Sequence, residues 1–324
     1  MSDLLKSLEG KVIAVTGANG YIGSALSTKL VEYSARVLRI SSKKLHPQTG
    51  MLDLKADIKI VDCWEKIVSQ ADIIIHLAGN TSIHEAKKNY VDSLNSTILP
   101  LQHLDLMARK LGRKPRVIFA STATIYGLPD TIVTSEDDNI DPITEYDLHK
   151  AFAEQQLDMS TRNGVLGGVA LRLANVYGSS SLESSASDRG ILNQITRMAF
   201  QGKDLTVYGD GNYVRDYICI DDVVSAFLYA IISNNVEGQS FNIASGVGHT
   251  VREVFDLVAH QVGDVTGHKV GINETPWPEG VSPIEKRNFV ASIDKFNKFS
   301  GWKPTISLDE GISRLVSFYM KKYT

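Results

Sequence analysis

The run KVIAVTGANGYIGSAL, Lys11 to Leu26, limits the possible folds more than any other stretch. Apolar, β-type residues lead up to Gly17. Gly20 and Gly23 follow at a spacing of three, and SALSTKLVEYS then carries apolar residues at helical intervals. Glycines placed this way let a chain turn tightly between a buried strand and a helix. They also let a phosphate approach the backbone, where unpaired N–H groups and the positive end of the helix dipole suit a pyrophosphate. The spacing is G-x-x-G-x-x-G rather than G-x-G-x-x-G. A tight strand–helix turn that holds no ligand is the competing reading.

Strands and helices keep alternating after this loop. RVLRI and ADIIIHLAG read as strands, WEKIVSQ as a short helix, and VDSLNSTILPLQHLDLMARKLG as a long amphipathic helix that Pro100 should bend or break. RVIFAST is a strand, YDLHKAFAEQQLDMSTRNG a helix closing on a glycine, and VLGGVALRLANVYG another strand. Such alternation implies a parallel sheet covered on both faces. Beyond it, GSSSLESSASDRG, Gly178 to Gly190, is expected to be a mobile loop placed to cover a substrate. GILNQITRMAFQG reads as a helix. DLTVYGDGNYVRDYICIDD reads as two short strands around a Gly-Asp-Gly turn. DVVSAFLYAIIS is a helix and GQSFNIAS a strand, and the tail holds further helices and a small strand.

Bulk properties exclude several classes. A formal net charge of −3 gives no global field for nucleic acid or anionic lipid. Cys63 and Cys219 are too few for a disulfide framework or a structural zinc site, and both are expected to be buried, reduced thiols. The longest apolar run, VVSAFLYAII, is too short to span a bilayer, and MSDLLKSLEGK lacks the apolar core of a signal peptide. A cytoplasmic protein is expected, with no metal, nucleic-acid or membrane partner.

One spacing carries chemistry. In TEYDLHK, Tyr146 and Lys150 stand four residues apart at the start of a helix, on one face. A phenol, with a pKa near ~10, is a poor base at neutral pH. A nearby lysine cation favours the phenolate and so equips the pair to exchange a proton with a sugar or alcohol hydroxyl. RVIFASTATIYG brings Ser121 and Thr122 to the carboxyl end of a strand, where parallel sheets bind ligands. Thr122 is placed to hydrogen-bond the oxygen that Tyr146 protonates. A surface tyrosine beside a solvated lysine is the alternative.

The glycine loop, HLAG, STATIYG, YDLHK, LRLANVYG and VYGDGNYVRDYICIDDV follow one another in the order of the extended short-chain dehydrogenases/reductases. More narrowly, the chain resembles the NAD-dependent epimerase/dehydratase family acting on nucleotide sugars, and FSGWKPTISLDEGISRLVSFY is similar to the closing segment of that group. The resemblance implies an α/β fold: a Rossmann-type doubly wound parallel sheet with a smaller α/β C-terminal substrate domain. Residues 1–176 plus about 219–246 would bind NAD or NADP. Residues about 177–218 plus 247–324 would bind a nucleotide diphosphate sugar.

By the same resemblance, Gly17, Gly20 and Gly23 cradle the pyrophosphate, helped by the backbone of Asn19, Tyr21 and Ile22. Asp57, with Ile58, meets the adenine, and Leu77, Ala78 and Gly79 line the cofactor past its ribose. Thr122, Tyr146 and Lys150 are catalytic, with Tyr146 as acid/base and Lys150 also on the nicotinamide ribose. Asn175 faces nicotinamide and sugar. Arg215 grips the substrate diphosphate, as a guanidinium fork can, and Arg287 is a second candidate for that task. Arg189 and Asn193 lie in a region that varies within the group, and their roles stay open. A homodimer through the helices containing Asn95 and Tyr146 is implied by analogy.

Two departures from the family pattern discriminate. Dehydratases of the group carry Asp-Glu just after the catalytic Thr, whereas this chain has Ala123 and Thr124, which argues against 4,6-dehydration. NAD-preferring members end the second strand on an Asp that meets the ribose 2′-OH. RVLRISSKK instead offers Ser41, Ser42 and Lys43, which favours NADP over NAD. The expected activity is nucleotide-sugar epimerisation by hydride transfer at C4, with an NADPH-dependent 4-keto-sugar reductase as the alternative. A non-catalytic dinucleotide-binding protein is a third reading, disfavoured by the intact Thr122, Tyr146 and Lys150.

Overall fold

The computed structural model describes residues 8–33, 35–179 and 190–323. Residues 180–189 of the serine-rich segment, Arg189 among them, lie outside the described residues. The strands are β1 (Val12–Thr16), β2 (Arg36–Ser41), β3 (Met51–Lys55), β4 (Ile73–His76), β5 (Arg116–Thr122), β6 (Val133–Thr134), β7 (Gly167–Leu173), β8 (Asn175–Tyr177), β9 (Leu205–Tyr208), β10 (Val214–Cys219), β11 (Gln239–Ile243), β12 (Gly248–Thr250), β13 (Ile272–Thr275) and β14 (Val290–Ala291). The principal helices are α1 (Tyr21–Glu32), α2 (Val61–Gln70), α3 (Ile83–Lys88), α4 (Tyr90–Thr97), α5 (Leu99–Leu111), α6 (Glu145–Arg162), α7 (Ile191–Phe200), α8 (Ile220–Ile232), α9 (Val251–Thr266), α10 (Asp294–Ser300) and α11 (Leu308–Tyr323).

Seven strands form one sheet in the order β11-β7-β5-β4-β1-β2-β3. Every pairing in it is parallel. Its central strands are apolar on both faces, as Ile73, Ile74 and Ile75 illustrate. Leu26, Leu30, Val223 and Phe227 fill one face beneath α1 and α8. Trp64, Ile67, Leu104 and Leu157 fill the other beneath α2, α5 and α6. The chain order reverses between β1 and β4, so a crevice opens at the carboxyl ends of those two strands.

A separate core joins Leu192, Leu205, Val254, Phe255, Ile312 and Val316 from α7, β9, α9 and α11. Small sheets order it: β12-β10-β8, β13-β9 and β14-β6.

The two short strands around the Gly-Asp-Gly turn form as expected, and they take other partners than each other: β9 pairs with β13, and β10 with β8 and β12. VLGGVALRLANVYG is two strands rather than one: β7 stays in the main sheet, and β8 leaves it after Ala174. Met51–Lys55, absent from the sequence reading, is the edge strand β3, whose half-exposed residues carry little apolar signal. Pro100 acts as expected. The long helix breaks at Ile98, and the proline sits in the first turn of α5.

Candidate active site

The glycine loop is sterically fixed. Gly17 has φ +69°, and a Cβ there would stand 2.9 Å from the Ala78 backbone nitrogen. A Cβ on Gly23 would stand 2.3 Å from the Gly17 carbonyl oxygen. Only glycine lets α1 begin this close to β1. Gly20 caps α1 without a side-chain bond, so no side chain from the cap occupies the amides of the first turn. Asn19, Gly20, Tyr21, Ile22 and Gly23 all line one cavity of about 860 Å³. Helix-end amides opening onto a roomy crevice fit a dinucleotide pyrophosphate.

Every residue assigned to the cofactor from sequence lines that same cavity. Ser41, Ser42, Lys43, Asp57 and Ile58 form one end. The glycine loop and Leu77, Ala78 and Gly79 form the middle, and Tyr146, Lys150 and Asn175 the other end beside Thr122. Ser41 is the last residue of β2, and its Oγ accepts from the Lys43 backbone N–H at 3.1 Å. Asp57 Oδ1 accepts from the Lys59 N–H at 3.0 Å, and Lys59 Nζ reaches Asp92 at 2.9 Å.

β5 and α6 build the end that holds Thr122, Tyr146 and Lys150. Lys150 is buried; its ammonium donates to the Ala120 carbonyl at 2.7 Å and lies 4.6 Å from the Phe119 ring centre. Burial pulls its pKa down to about 8, against the charge of Glu154 one turn along. Tyr146 is half-buried in the first turn of α6, where the helix dipole favours a phenolate. Thr122 closes β5. Its Oγ1 accepts from the Thr124 N–H at 3.2 Å and shares a 2.8 Å hydrogen bond with Thr124 Oγ1. Asn175, at the start of β8, donates to the Asp216 carbonyl at 2.9 Å. The Asp216 carboxylate is buried and accepts from Ser245 and from the Gly246 N–H.

The two arginines stand apart from this cluster. Neither Arg215 nor Arg287 lines the cavity. Arg215 donates to the carbonyls of Glu285, at 2.7 Å, and of Arg287. Arg287 is buried, reaches the Ala123 and Gly127 carbonyls at 3.4 and 3.3 Å, and stacks on Phe289. Burial lowers its pKa to about 10. Asn193 joins a buried knot in which its Nδ2 and the Tyr21 hydroxyl both donate to the Gly178 carbonyl, at 2.8 and 2.6 Å.

One wall of the cavity escaped the sequence reading. Asn80, Thr81, Ser82, Glu85, Asn89, Asp92 and Ser96 face the crevice from α3, α4 and the loop before them. The only signal was their polarity directly after a buried strand.

Sheet order and glycine loop together define a Rossmann-type protein. Residues 13–244 match the NAD dependent epimerase/dehydratase family, and the chain belongs to it. It is 28% identical over 320 residues to the UDP-glucose 4-epimerase of Mycolicibacterium smegmatis, covering 95% of this chain and 98% of that one. It is 26% identical to the UDP-N-acetyl-alpha-D-glucosaminuronate decarboxylase of Bacillus cytotoxicus, covering 94% and 96%. Among solved structures, UDP-glucose 4-epimerase of Thermotoga maritima with UDP-glucose superposes with a TM-score of 0.86 at 29% identity, covering 97% of this chain and 100% of that one. No helix among the described residues is long and apolar enough to cross a membrane.

Proposed function

We propose that this chain is an NAD(P)-dependent nucleotide-sugar 4-epimerase. The observation that carries the reading is the convergence of Thr122, Tyr146 and Lys150 on the cavity that the glycine loop also lines. In this reading the helix-end amides of Tyr21, Ile22 and Gly23 bind the pyrophosphate. The bound nicotinamide supplies the acceptor and donor of hydride. Tyr146 Oη takes the proton from the sugar hydroxyl, Thr122 hydrogen-bonds the same oxygen, and the Lys150 ammonium favours the phenolate. With the keto sugar turned over in the cavity, Tyr146 gives the proton back to its oxygen, which becomes the hydroxyl of the epimeric alcohol. Residues 1–176 plus about 219–246 serve the cofactor, and about 177–218 plus 247–324 the nucleotide sugar. Arg215 and Arg287 meet the diphosphate in this scheme only if their bonds to backbone carbonyls are exchanged for phosphate oxygens.

A second reading, an NADPH-dependent 4-keto-sugar reductase, is favoured by one observation: Ser41, Ser42 and Lys43 edge the cavity where a carboxylate would repel a 2′-phosphate. NADP is therefore the preferred cofactor in our proposal. Purified protein, screened with UDP-, dTDP-, GDP- and CDP-sugars while reduced nicotinamide is followed by absorbance, separates the two. Sugar interconversion with no net cofactor consumption supports the epimerase, and stoichiometric loss of NADPH the reductase. In either, Tyr146→Phe should lower kcat by roughly 10²–10⁴-fold. Full turnover by that variant would overturn the acid/base role.

A further inference from the structure

Asp147 follows Tyr146 directly and is fully buried in the first turn of α6. Part of its surroundings is ordinary helix capping. Thr144 Oγ1 accepts from the Asp147 N–H at 3.3 Å and donates to Asp147 Oδ2 at 2.6 Å. Capping alone does not call for burial, nor for the company the carboxyl keeps. Burial raises its pKa, while the Thr124 hydroxyl, the Thr144 hydroxyl and the Arg287 guanidinium draw it back. Oδ1 is buried and no hydrogen bond of good geometry ends on it among the described residues, which leaves it as the acceptor for the Thr124 hydroxyl.

Thr124 is the neighbour that matters. Both hydrogen bonds that fix the Thr122 hydroxyl come from it, one through its backbone N–H and one through its Oγ1. Arg287, through the Ala123 and Gly127 carbonyls, pins the short turn that carries Thr124. Thr122 belongs to β5 and Tyr146 to α6. α6 packs against the short turn that carries Thr124, so a bond from Thr124 to Asp147 would join the two elements at the point where both hydroxyls must meet one substrate oxygen.

We propose that Asp147 is a positioning residue that acts through Thr124 to register Thr122 against Tyr146. The inference rests on the acid/base reading above. Misplacement of a reacting group by about 1 Å costs roughly a hundredfold in rate. Thr124→Val and Asp147→Ala are therefore each expected to lower kcat roughly tenfold to a hundredfold, with KM within about twofold. Because the two residues lie on one link, the double variant should fall no further than the worse single. Asp147→Asn keeps shape and an acceptor oxygen, so it should recover much of what Asp147→Ala loses. Steady-state kinetics on the holoenzyme, with thermal melts alongside, read all four variants. Thr124→Val leaves the helix cap intact and carries the test alone if Asp147→Ala does not fold. A Thr124→Val enzyme with wild-type kcat, or single effects that multiply in the double variant, would overturn the proposal. So would a fall in melting temperature with no fall in kcat for Asp147→Ala. A wild-type protein that turns over no nucleotide sugar would instead overturn the functional reading.

Discussion

Lys150 holds its charge under strain, because burial lowers its pKa to about 8 while its hydrogen-bond acceptor, the Ala120 carbonyl, is neutral. Below that pH the ammonium is present, and in the proposed mechanism it favours a phenolate at Tyr146. In Lys150→Met the cation is gone, so the acid limb of the kcat profile should move to higher pH. At pH 7, kcat should fall roughly tenfold to a hundredfold. An acid limb that stays in place would remove the electrostatic role. Residues of this kind were legible in the sequence because their chemistry depends on spacing along one helix or on one strand end. The present partners of Arg215 and Arg287 could not be read there, because they are carbonyls from distant or irregular segments. Asp147 was hidden for a related reason: a carboxylate in the first turn of a helix reads as a cap, and only burial marks it as more.

At the scale of an element, the end of β2 is where the proposed preference for NADP is tested. Ser41 is buried, its Oγ already caps the Lys43 N–H, and the strand hands the chain directly to the cavity edge. An aspartate keeps the capping acceptor and adds a charge that repels a 2′-phosphate while it accepts from a 2′-OH. Ser41→Asp should therefore lower NADP affinity and raise NAD affinity, read by titration calorimetry with both dinucleotides. No change in either would place the ribose elsewhere. Elements with a strong period or a buried core were legible along the chain, as β1, β4 and α6 show. β3 was not, since an edge strand needs no continuous apolar run. The partners of β9 and β10 were hidden as well, because a turn residue fixes a reversal and not which strand lies alongside.

Two properties belong to the whole molecule. His76, at the end of β4, is fully buried between Trp64 and Phe119, its Nδ1 2.8 Å from Thr16 Oγ1. Burial lowers its pKa to about 3. The unfolded chain takes up a proton near pH ~6.5, whereas the folded chain does so only near pH 3. The neutral imidazole therefore contributes stability that is present above the unfolded pKa and lost as pH falls toward the folded one. The steepest loss is about 1.4 kcal/mol per pH unit. Urea titrations through that window should show a flatter pH dependence for His76→Gln than for the wild type. Equal slopes would mean that His76 is protonated in the fold.

The second is a proposal about assembly. Tyr90 and Val91 of α4 are 45% and 66% exposed, and Phe152 and Met159, seven residues apart on α6, are 41% and 45% exposed. These helices pack against each other. These two helices present large apolar side chains to solvent, and we propose that a second copy covers them. A stable interface buries about 1,200–2,000 Å², and a charge at its centre, desolvated and unpaired, costs several kcal/mol. Sedimentation velocity should therefore give a dimer for the wild type and a monomer for Phe152→Glu at the same concentration. Because Phe152 points away from the cavity-lining residues of its helix, the monomer should still bind the dinucleotide. A wild-type monomer at working concentration would leave that apolar face without a self-partner.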